Sequence, residues 1–552
     1  MRILFFTLVL MCQLMVAFAN VSIMPVRDIQ PGMHGVGKTV IQGDTIEDFY
    51  VEVIGVSGRE TTGQSILVRL YGDLVEKTGG VAHGMSGSPV YIDGRLVGAV
   101  AFGRNFNDPH YCFLTPIGDM LRMLDEPRSV KENWIPKNTP LMASGFTPYG
   151  LEYLKEKLAP FGLDALPAGA SDMDSSKPLE PGSSVGVSLM YGDMSIGALG
   201  TVTWVGDDGK ILAFGHPFMS RGDSNFYMNN TWVLGCIPSL SSSYKVGNLG
   251  SPIGKIVEDR ASGVAGEIGK APKAIPLFVS ATDNGRGLSQ SIRTAIIEDD
   301  KLLTAMVDAA TVNTVSKALN RAGGGTANVR FTIVGKDADK NQLKIERENM
   351  YYSADSVLKT ITQELTDATN TLMQNKFADV DVYAINVEAE VSEDVKVAEI
   401  TAVKALEDKV KLGSKLPIRV TLKPYRGAEF TKVYEYEISK DQHVGKLNLN
   451  VRGGSSMAWV IKLLRKQKDE DVPAAKTAEK KRTLKDYVED VNGSDKNNEL
   501  IVDISSGANS QAKNMEADAG LAGMLKGSKY KQKFPHNFII DGEKDITVTV
   551  IK

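Results

Sequence analysis

Short apolar and alternating runs follow one another along most of this chain of 552 residues. Runs such as 66–70, 96–100 and 185–189 predict strands, because successive side chains of an extended segment point to opposite faces. Glycine is abundant, with 53 residues, whereas aromatic residues make up only 7% of the chain. The pattern therefore predicts a mainly β protein, α+β overall, with many short strands joined by tight turns.

Helical periodicity interrupts the strands in three places. Residues 149–158 carry leucines on one face, and 300–322 carries apolar residues at helical spacing before a run of glycines. A third helix is expected to open at Ser353, after a β-hairpin within 329–348. From 380 onward, alternating runs return with the spacing of a small β-sandwich, which we interpret as immunoglobulin-like.

These changes of pattern divide the chain into eight segments. The expected order is a leader at 1–19, a β-rich half with a candidate nucleophilic serine at 20–135, a linker at 136–182, a β-rich half with a candidate histidine at 183–300, a helix-hairpin-helix segment at 301–377, a β-sandwich at 378–460, a charged linker at 461–483 and a C-terminal α/β segment at 484–552.

The N-terminal residues have the composition of a secretion signal. An apolar run extends from Ile3 to Phe18, and the Ala17-Phe18-Ala19 site predicts cleavage after Ala19. Cys12 lies within this run without a lipid-attachment motif, so lipid anchoring is not expected. Because no later run is long and apolar enough to cross a bilayer, we expect an exported protein without a transmembrane segment, located in the periplasm, the outer envelope or the medium.

Charge and cysteine content exclude several functional classes. The net charge is −4 and charges of both signs are interspersed, which gives no support for a nucleic-acid partner. Beyond the leader only Cys112 and Cys236 remain, and they could form a disulfide or stay as two separate thiols. No metal-ligand cluster is present in the sequence, and no cofactor is expected.

The most informative motif is the hexapeptide 84–89, Gly-Met-Ser-Gly-Ser-Pro. Glycines on both sides of Ser86 permit a sharp turn that exposes its hydroxyl group, and the amides of Gly84 and Ser86 can then act as oxyanion-hole donors. Ser88 is expected to be a small neighbour of this nucleophile. The alternative interpretation is an ordinary loop between two strands.

A serine nucleophile needs a base, and histidine is the usual one. Among six histidines, His216 is our candidate because it follows an apolar strand on a Gly-His-Pro corner. It could instead be a turn histidine bonded to the backbone. His83 is too near Ser86 in sequence to be the expected base, and we interpret it as a cleft-lining or exposed residue.

Two blocks of sequence resemble one known family. The run from Asp73 to Pro89 resembles the nucleophile segment of the SpoIVB-type sporulation serine peptidases, and the run from Gly200 to Pro217 resembles the segment that carries their catalytic histidine. The resemblance implies a trypsin-like β-barrel region and narrow, regulatory cleavage of a protein or peptide substrate. It also implies that Ser86 attacks the peptide carbonyl while His216 transfers the proton.

Two features depart from the family pattern. The histidine block precedes the serine block in the family, whereas Ser86 precedes His216 here, which implies either a circular permutation or an independent arrangement of the two halves. The peptide-binding module of the PDZ type that accompanies the family's peptidase region is not evident in the sequence.

The carboxylate that would orient the histidine also departs from the pattern. The family's acid aligns with Tyr71, and we assign the role to Asp73 because positions i and i+2 share a face on an extended strand. Asp193 and Asp259 are rival candidates, although the preferred interpretation of each is a solvated acid in a loop or at a strand end.

A competing motif lies at 32–39, which satisfies the phosphate-loop pattern G-x-x-x-x-G-K-T. That pattern binds nucleotides only between a buried strand and a helix N-terminus. Two prolines precede the motif and no helical pattern follows it, so a glycine-rich turn is the preferred interpretation.

The expected function is therefore an exported serine endopeptidase, with Ser86, His216 and Asp73 as catalytic residues and Gly84 and Ser86 as oxyanion-hole residues. Two alternatives remain open: a non-catalytic envelope or adhesion protein that kept a peptidase-like fold, favoured by Tyr71, and a switch that cleaves its own chain. The sandwich could bind a partner at the envelope surface.

Overall fold

A computed structural model describes residues 22–59, 63–102, 108–125, 140–168, 175–239, 242–321, 323–376, 378–454, 483–504 and 530–552. The chain divides into two compact units. The first comprises Met1–Ser144, Gly162–Leu189 and Ser195–Pro272, and the second comprises Gly145–Phe161, Met190–Met194 and Lys273–Lys552. The expected leader at 1–19 and nearly all of the expected charged linker lie outside the described residues.

A closed six-stranded barrel opens the first unit. Its elements are β1 (His34–Val40), β2 (Ile46–Arg59), β3 (Gly63–Tyr71), α1 (Asp73–Thr78), β4 (Pro89–Ile92), β5 (Arg95–Phe102), β6 (Tyr111–Pro116) and α2 (Ile117–Asp125). The strands pair in the order β1-β2-β3-β6-β5-β4, and β4 closes the barrel on β1.

Local sequence accounts for the shape of this barrel. Asp93 and Gly94 both have positive φ, 49° and 71°, which gives β4 and β5 the two-residue turn whose twist matches a hairpin. A Cβ on Gly37 would lie 2.1 Å from the ring of Phe49, so glycine at this position lets the aromatic ring fill the interior. Phe49 is completely buried, as is Val68 on β3.

The other strands of the first unit form a second ring. They are β7 (Leu141–Ser144), β8 (Ala165–Pro167), β9 (Ser184–Gly192), β10 (Ser195–Val205), β11 (Lys210–Ala213), β12 (Gly222–Ile237), β13 (Tyr244–Arg260) and β14 (Gly263–Ile268). They pair in the order β9-β12-β13-β14-β11-β10-β7-β8, and an additional pairing of β9 with β10 joins six of them into a ring. The mainly β class and the β-barrel expected from the sequence are confirmed.

In its described residues, the second unit contains an open sheet and four α-helices. Its elements up to the sandwich are α3 (Pro148–Leu158), β15 (Ala274–Asp283), β16 (Leu288–Ile297), α4 (Leu302–Leu319), β17 (Gly325–Asp337), β18 (Gln342–Ser353), α5 (Gln363–Met373) and β19 (Val380–Ser392). The strands pair in the order β18-β17-β19-β15-β16, and β16 also pairs with 190–192 at the end of β9.

Helix α4 is buried on almost all sides, and two of its buried polar side chains bond to residues of the segment around α3. The Asp308 carboxylate accepts a hydrogen bond from Tyr153 and lies 2.9 Å from the ammonium of Lys157 on α3. The side-chain oxygen of Asn313 accepts the N–H of Thr147, the residue that caps α3. The helix ends at Leu319 with Asn320 in the left-handed conformation, before the glycines that the sequence suggested as its stop.

A β-sandwich completes the second unit. Its elements are β20 (Val397–Ala405), β21 (Lys409–Lys411), β22 (Lys415–Pro424), β23 (Phe430–Glu437), β24 (Gly445–Gly453), α6 (Leu484–Gly493), β25 (Glu499–Ile504), β26 (Gln532–Pro535), β27 (Ile539–Asp541) and β28 (Glu543–Ile551). One sheet has the order β23-β22-β20-β27 and the other β21-β28-β24-β25-β26. Their facing apolar side chains form one core cluster.

Three local expectations differ from the structure. The run at 382–387 belongs to β19, which pairs with β15 and β17 in the open sheet rather than with the sandwich. Strands expected in a separate C-terminal segment at 484–552 instead complete both sandwich sheets. Ser353 ends a strand, and α5 begins only at Gln363. Alternation identifies a strand but not its partner, which explains the first two differences.

No described helix is of sufficient length and hydropathy to span a membrane. The immunoglobulin-like interpretation of the sandwich stays a prediction.

Arg347 provides a test of the second unit. Its buried guanidinium makes two hydrogen bonds to Glu364, at 2.7 and 3.2 Å. We expect Arg347→Met to lower the free energy of unfolding by about 3–5 kcal/mol, because a partly buried carboxylate loses its partner. The measurement is the midpoint of urea unfolding.

Arg330→Met is the matched control. The Arg330 side chain is 53% exposed and lies 3.4 Å from Glu348, so its loss should cost no more than about 1 kcal/mol. Equal shifts in the two variants would contradict the structural role of Arg347.

Candidate active site

The Ser86 turn is a tight loop between α1 and β4 whose geometry requires its glycines. Gly84 and Gly87 have φ of 93° and 94°, in the left-handed region that side chains disfavour. A Cβ on Gly87 would lie 1.9 Å from the carbonyl oxygen of Thr201. Ser86 itself is half-buried, whereas Ser88 is completely buried.

Every carbonyl group of residues 84–87 accepts a hydrogen bond from a neighbouring residue. The donors, in order, are Thr201 Oγ1 at 2.9 Å, Ser88 Oγ at 2.6 Å, the Thr201 N–H at 2.8 Å and Thr203 Oγ1 at 2.7 Å. Three of these four bonds come from β10, so the second ring holds the turn of the first. Ser88 therefore supports the turn with a hydrogen bond in addition to being small.

The N–H groups of the turn divide into two sets. Those of Met85, Gly87 and Ser88 donate to backbone carbonyls. Those of Gly84 and Ser86 donate to no protein atom in the described part of the chain. These are the two amides predicted as oxyanion-hole donors, and the geometry leaves both available for that role.

His216 follows β11 on a corner with unusual backbone geometry. Phe214 and Gly215 both have positive φ, 70° and 66°. Such a conformation in a bulky residue persists only where its surroundings enforce it. Phe214 is buried between the rings of His216 and Phe218, with ring centroids about 6 Å apart in each pair. The corner is thus rigidly supported on one side of the histidine.

A hydrogen bond defines the tautomer of the His216 ring. Nδ1 lies 2.8 Å from the carbonyl oxygen of Pro217, which can only accept, so Nδ1 carries the hydrogen. In the neutral ring the basic lone pair is therefore on Nε2. A backbone carbonyl here makes the contact that a carboxylate makes in a Ser-His-Asp triad.

The Ser86 turn and the His216 corner lie against the same backbone carbonyl. The oxygen of Val100 on β5 accepts the N–H of Gly87 at 2.7 Å. A Cβ on Gly215 would lie 2.9 Å from that same oxygen. The residue after Ser86 and the residue before His216 are therefore close neighbours, although the two blocks are far apart in sequence.

Thr201 makes a second connection between the two segments. Its N–H donates to the Ser86 carbonyl, and its own carbonyl accepts the N–H of Phe214 at 3.2 Å. A Cβ on Gly87 would lie 2.4 Å from the Phe214 nitrogen. The Ser86 hydroxyl itself makes no hydrogen bond to a described residue.

Asp259 anchors the loop that follows His216. Its buried carboxylate accepts the N–H groups of Phe218 and Met219, each at 2.7 Å, and of Arg221 at 3.2 Å. Burial raises the pKa of Asp259 to about 6, although these N–H bonds act in the opposite direction. Asp259 thus stabilises the backbone that carries the histidine rather than contacting its ring.

The other predicted carboxylates have different surroundings. Asp73 is exposed and opens α1, and no hydrogen bond joins it to a described histidine. The expectation that it lies on a strand was wrong, because β3 ends at Tyr71 and Gly72 turns the chain into the helix. Tyr71 stacks on Tyr50, and its hydroxyl lies 3.1 Å from His34. Asp193 accepts the N–H of Arg293 in the second unit.

The phosphate-loop motif has the wrong structural context. Residues 34–40 form strand β1 instead of leading into a helix, so the amides of the motif pair with β2. Lys38 is bonded to Asp48 at 3.0 Å, and Thr39 is buried. This arrangement has no helix N-terminus to hold a phosphate.

The two cysteines are separate thiols. Cys112 and Cys236 are not bonded to each other, and burial raises their pKa values to about 12 and about 11. Among the described residues, no group of three or more histidine, cysteine or acidic side chains could hold a metal ion.

Sequence reasoning missed Lys245. This lysine on β13 is 1% exposed, and its ammonium donates to Thr39 Oγ1 at 2.9 Å. His83, half-buried beside it, has a pKa lowered by burial and lines a small cavity with Gly84 and Lys245. A single lysine in an alternating strand is normally expected to be exposed, so the sequence contains no signal for this position.

The match to a protein family covers the turn and ends before the histidine. Residues 13–121 match the SpoIVB peptidase S55 family. No curated protein and no solved structure matches the chain. The SpoIVB-type match therefore covers the segment that contains Ser86 and its turn, whereas His216 lies outside the matched residues.

Glycine substitutions test the geometry of the Ser86 turn. We expect Gly87→Ala to displace the turn, because its Cβ would collide with the Thr201 carbonyl. Gly94→Ala is the matched control: Gly94 also has positive φ, but no atom lies within 4 Å of its Cβ position. The control should lose about 1 kcal/mol of stability, and Gly87→Ala clearly more. Thermal unfolding compares them, and equal losses would contradict the close approach.

Asp259 makes stability depend on pH in a defined direction. Because its pKa in the folded state exceeds the usual value near 4, the native protein binds a proton that the unfolded chain lacks between about pH 4 and 6. The free energy of unfolding should therefore fall by roughly 2–3 kcal/mol as pH rises through this window. Urea unfolding at several pH values measures this slope.

Asp259→Asn should remove that contribution to the slope. Asp208→Asn is the control, since Asp208 is exposed and the hydrogen bond from Lys210 lowers its pKa. A slope that is unchanged in Asp259→Asn would contradict the assignment of the buried carboxylate.

Proposed function

We propose that this protein is an exported serine endopeptidase of the SpoIVB type with narrow, regulatory specificity. The family match supports a SpoIVB-like serine peptidase at the level of the family. The observation that carries the proposal further is the contact of the Ser86 turn and the His216 corner with the same two backbone segments, at Val100 and Thr201.

The proposed reaction follows from the atoms available at the site. Ser86 Oγ attacks the carbonyl carbon of a peptide bond, and Nε2 of His216 accepts its proton. The amides of Gly84 and Ser86 donate to the oxyanion that forms. His216 then gives the proton to the leaving amine. Water, deprotonated by His216, attacks the acyl carbon, the bond to Ser86 Oγ breaks, and His216 returns the proton to Oγ as the carboxylic product leaves. The hydrogen bond from Ser86 to His216 forms on substrate binding, as catalytic contacts commonly tighten at that point.

We propose that a backbone carbonyl group, rather than Asp73, orients the His216 ring. The Pro217 carbonyl accepts from His216 Nδ1, and Asp259 stabilises the adjoining loop. A carbonyl is a weaker partner for an imidazolium than a carboxylate, so slow and selective turnover is expected. Such turnover suits a regulatory peptidase better than a degradative one.

A non-catalytic binding protein is the second candidate. Tyr71, which aligns with the family's acid, is occupied by contacts to His34 and Tyr50. Under this proposal the two strand rings of the first unit would present a binding surface. The sandwich would attach the protein to an envelope partner.

Labelling with a fluorophosphonate probe distinguishes the two candidates. We expect the wild type to be labelled, Ser86→Ala to be unlabelled, and His216→Ala to react at least about 100-fold more slowly because the base is lost. Ser88→Ala is the matched control, since its buried hydroxyl is bonded to the Met85 carbonyl and should not react. Labelling that persists in Ser86→Ala or is independent of His216 would contradict the peptidase proposal.

A further inference from the structure

Lys245 is a buried cation without a described counter-ion. It lies on β13 opposite Cys236 of β12, and no carboxylate in the described ranges comes within 4.0 Å of its ammonium. The ammonium donates instead to two hydroxyl groups, Thr39 Oγ1 at 2.9 Å and Thr201 Oγ1 at 3.5 Å. Burying a charge in this way is costly, so the position needs an explanation.

The lysine is packed directly against the Ser86 turn. Its methylene groups fill the space that a side chain on Gly84 would need, since a Cβ there would lie 2.9 Å from the lysine Cδ. Its backbone N–H donates to the His83 carbonyl at 2.9 Å. The segment that leads into the nucleophile is therefore fixed by both the side chain and the backbone of Lys245.

Thr201 connects the ammonium to the turn. This threonine accepts from Lys245 and donates through Oγ1 to the Gly84 carbonyl, while its N–H donates to the Ser86 carbonyl. Both carbonyl groups that flank the Met85–Ser86 segment are thus held by one residue. A lysine that orients the Thr201 hydroxyl also orients the turn.

The charge of the lysine suits the chemistry expected at this turn. In the proposed reaction negative charge develops beside the amides of Gly84 and Ser86, and the buried side chain of Lys245, when protonated, places a positive charge next to the same turn. Such a charge stabilises the transition state more than the neutral ground state.

We propose that Lys245 is a positioning residue of the Ser86 site, which holds Thr201 against the turn and adds a positive charge behind the oxyanion-hole donors. This inference rests on the proposed function. It predicts that the protonated form of the lysine is the form that supports reaction.

Burial shifts the pKa of Lys245 and the pKa values of the titratable side chains that face it. Burial lowers the pKa of Lys245 to about 7. His83 faces it from the turn with a pKa lowered by burial, and Cys236 faces it from β12 with a pKa raised to about 11. On β1, the lysine is Lys38, which is paired with Asp48 at the surface.

The test is the rate of fluorophosphonate labelling of the full chain between pH 5.5 and 9. The ratio of the wild-type rate to the Lys245→Met rate should fall as pH rises through about 7, because only the wild type loses the ammonium proton, whereas the contribution of His216 as the base is common to both proteins. Lys245→Met should label about tenfold more slowly than the wild type at pH 6 and at a similar rate at pH 9, so that it lacks this alkaline decrease. Lys38→Met, on the exposed face of β1, should behave as the wild type.

Two further measurements keep the outcomes separate. Thr201→Val removes the hydroxyl that connects the lysine to Gly84 and should reproduce the slower labelling. If Lys245→Met does not fold, a wild-type rate that stays level from pH 7 to 9 overturns the inference. Labelling that requires Ser86 but is unchanged in Lys245→Met also overturns it, while leaving the peptidase proposal intact. Absence of labelling in the wild type overturns both.

Discussion

The hydrogen bonds between strand β10 and the carbonyl groups of 84–87 are the interaction on which the rest of the site depends. They attach the turn of one ring to a strand of the other, and they determine which way each peptide of the turn faces. Once the carbonyl groups are bound, the amides of Gly84 and Ser86 are left without acceptors among the described residues. The close approach of backbone to backbone is possible only because Gly87 lacks a side chain. The Ser86 hydroxyl and the N–H groups of Gly84 and Ser86 therefore lie in one short turn.

The histidine is supported by a different kind of constraint. Its corner has positive φ at a buried phenylalanine, which is unfavourable locally and has to be compensated by neighbouring contacts. Thr115 of the first ring donates to the Gly215 carbonyl, and Asp259 binds the amides of the following loop. Because those amides bind a buried carboxylate, the loop stays in position without a direct contact between Asp259 and the ring. In the proposed peptidase, this support of the backbone would replace direct orientation of the imidazole by an acid.

The sequence predicts the parts of this arrangement that depend on local chemistry. The glycine-flanked turn at Ser86 and the helices predicted at 149–158 and 300–322 follow from turn residues and periodicity. The sequence does not predict contacts between residues that are far apart in the chain. Asp73 looked like a strand residue because the end of β3 is decided by Gly72, and β19 looked like a sandwich strand because alternation does not reveal its neighbours. Lys245 could not be found at all, since its burial depends on threonines from β1 and β10.

The separation of Ser86 Oγ from His216 Nε2 in a crystal structure of the phosphonylated protein tests the central claim most directly. The account predicts that the two side chains lie on the same side of the turn. We expect Nε2 within about 3–4 Å of Ser86 Oγ or of an oxygen bonded to the phosphorus of the adduct. An imidazole that faces away from the adduct, with the Val100 and Thr201 contacts intact, would contradict it.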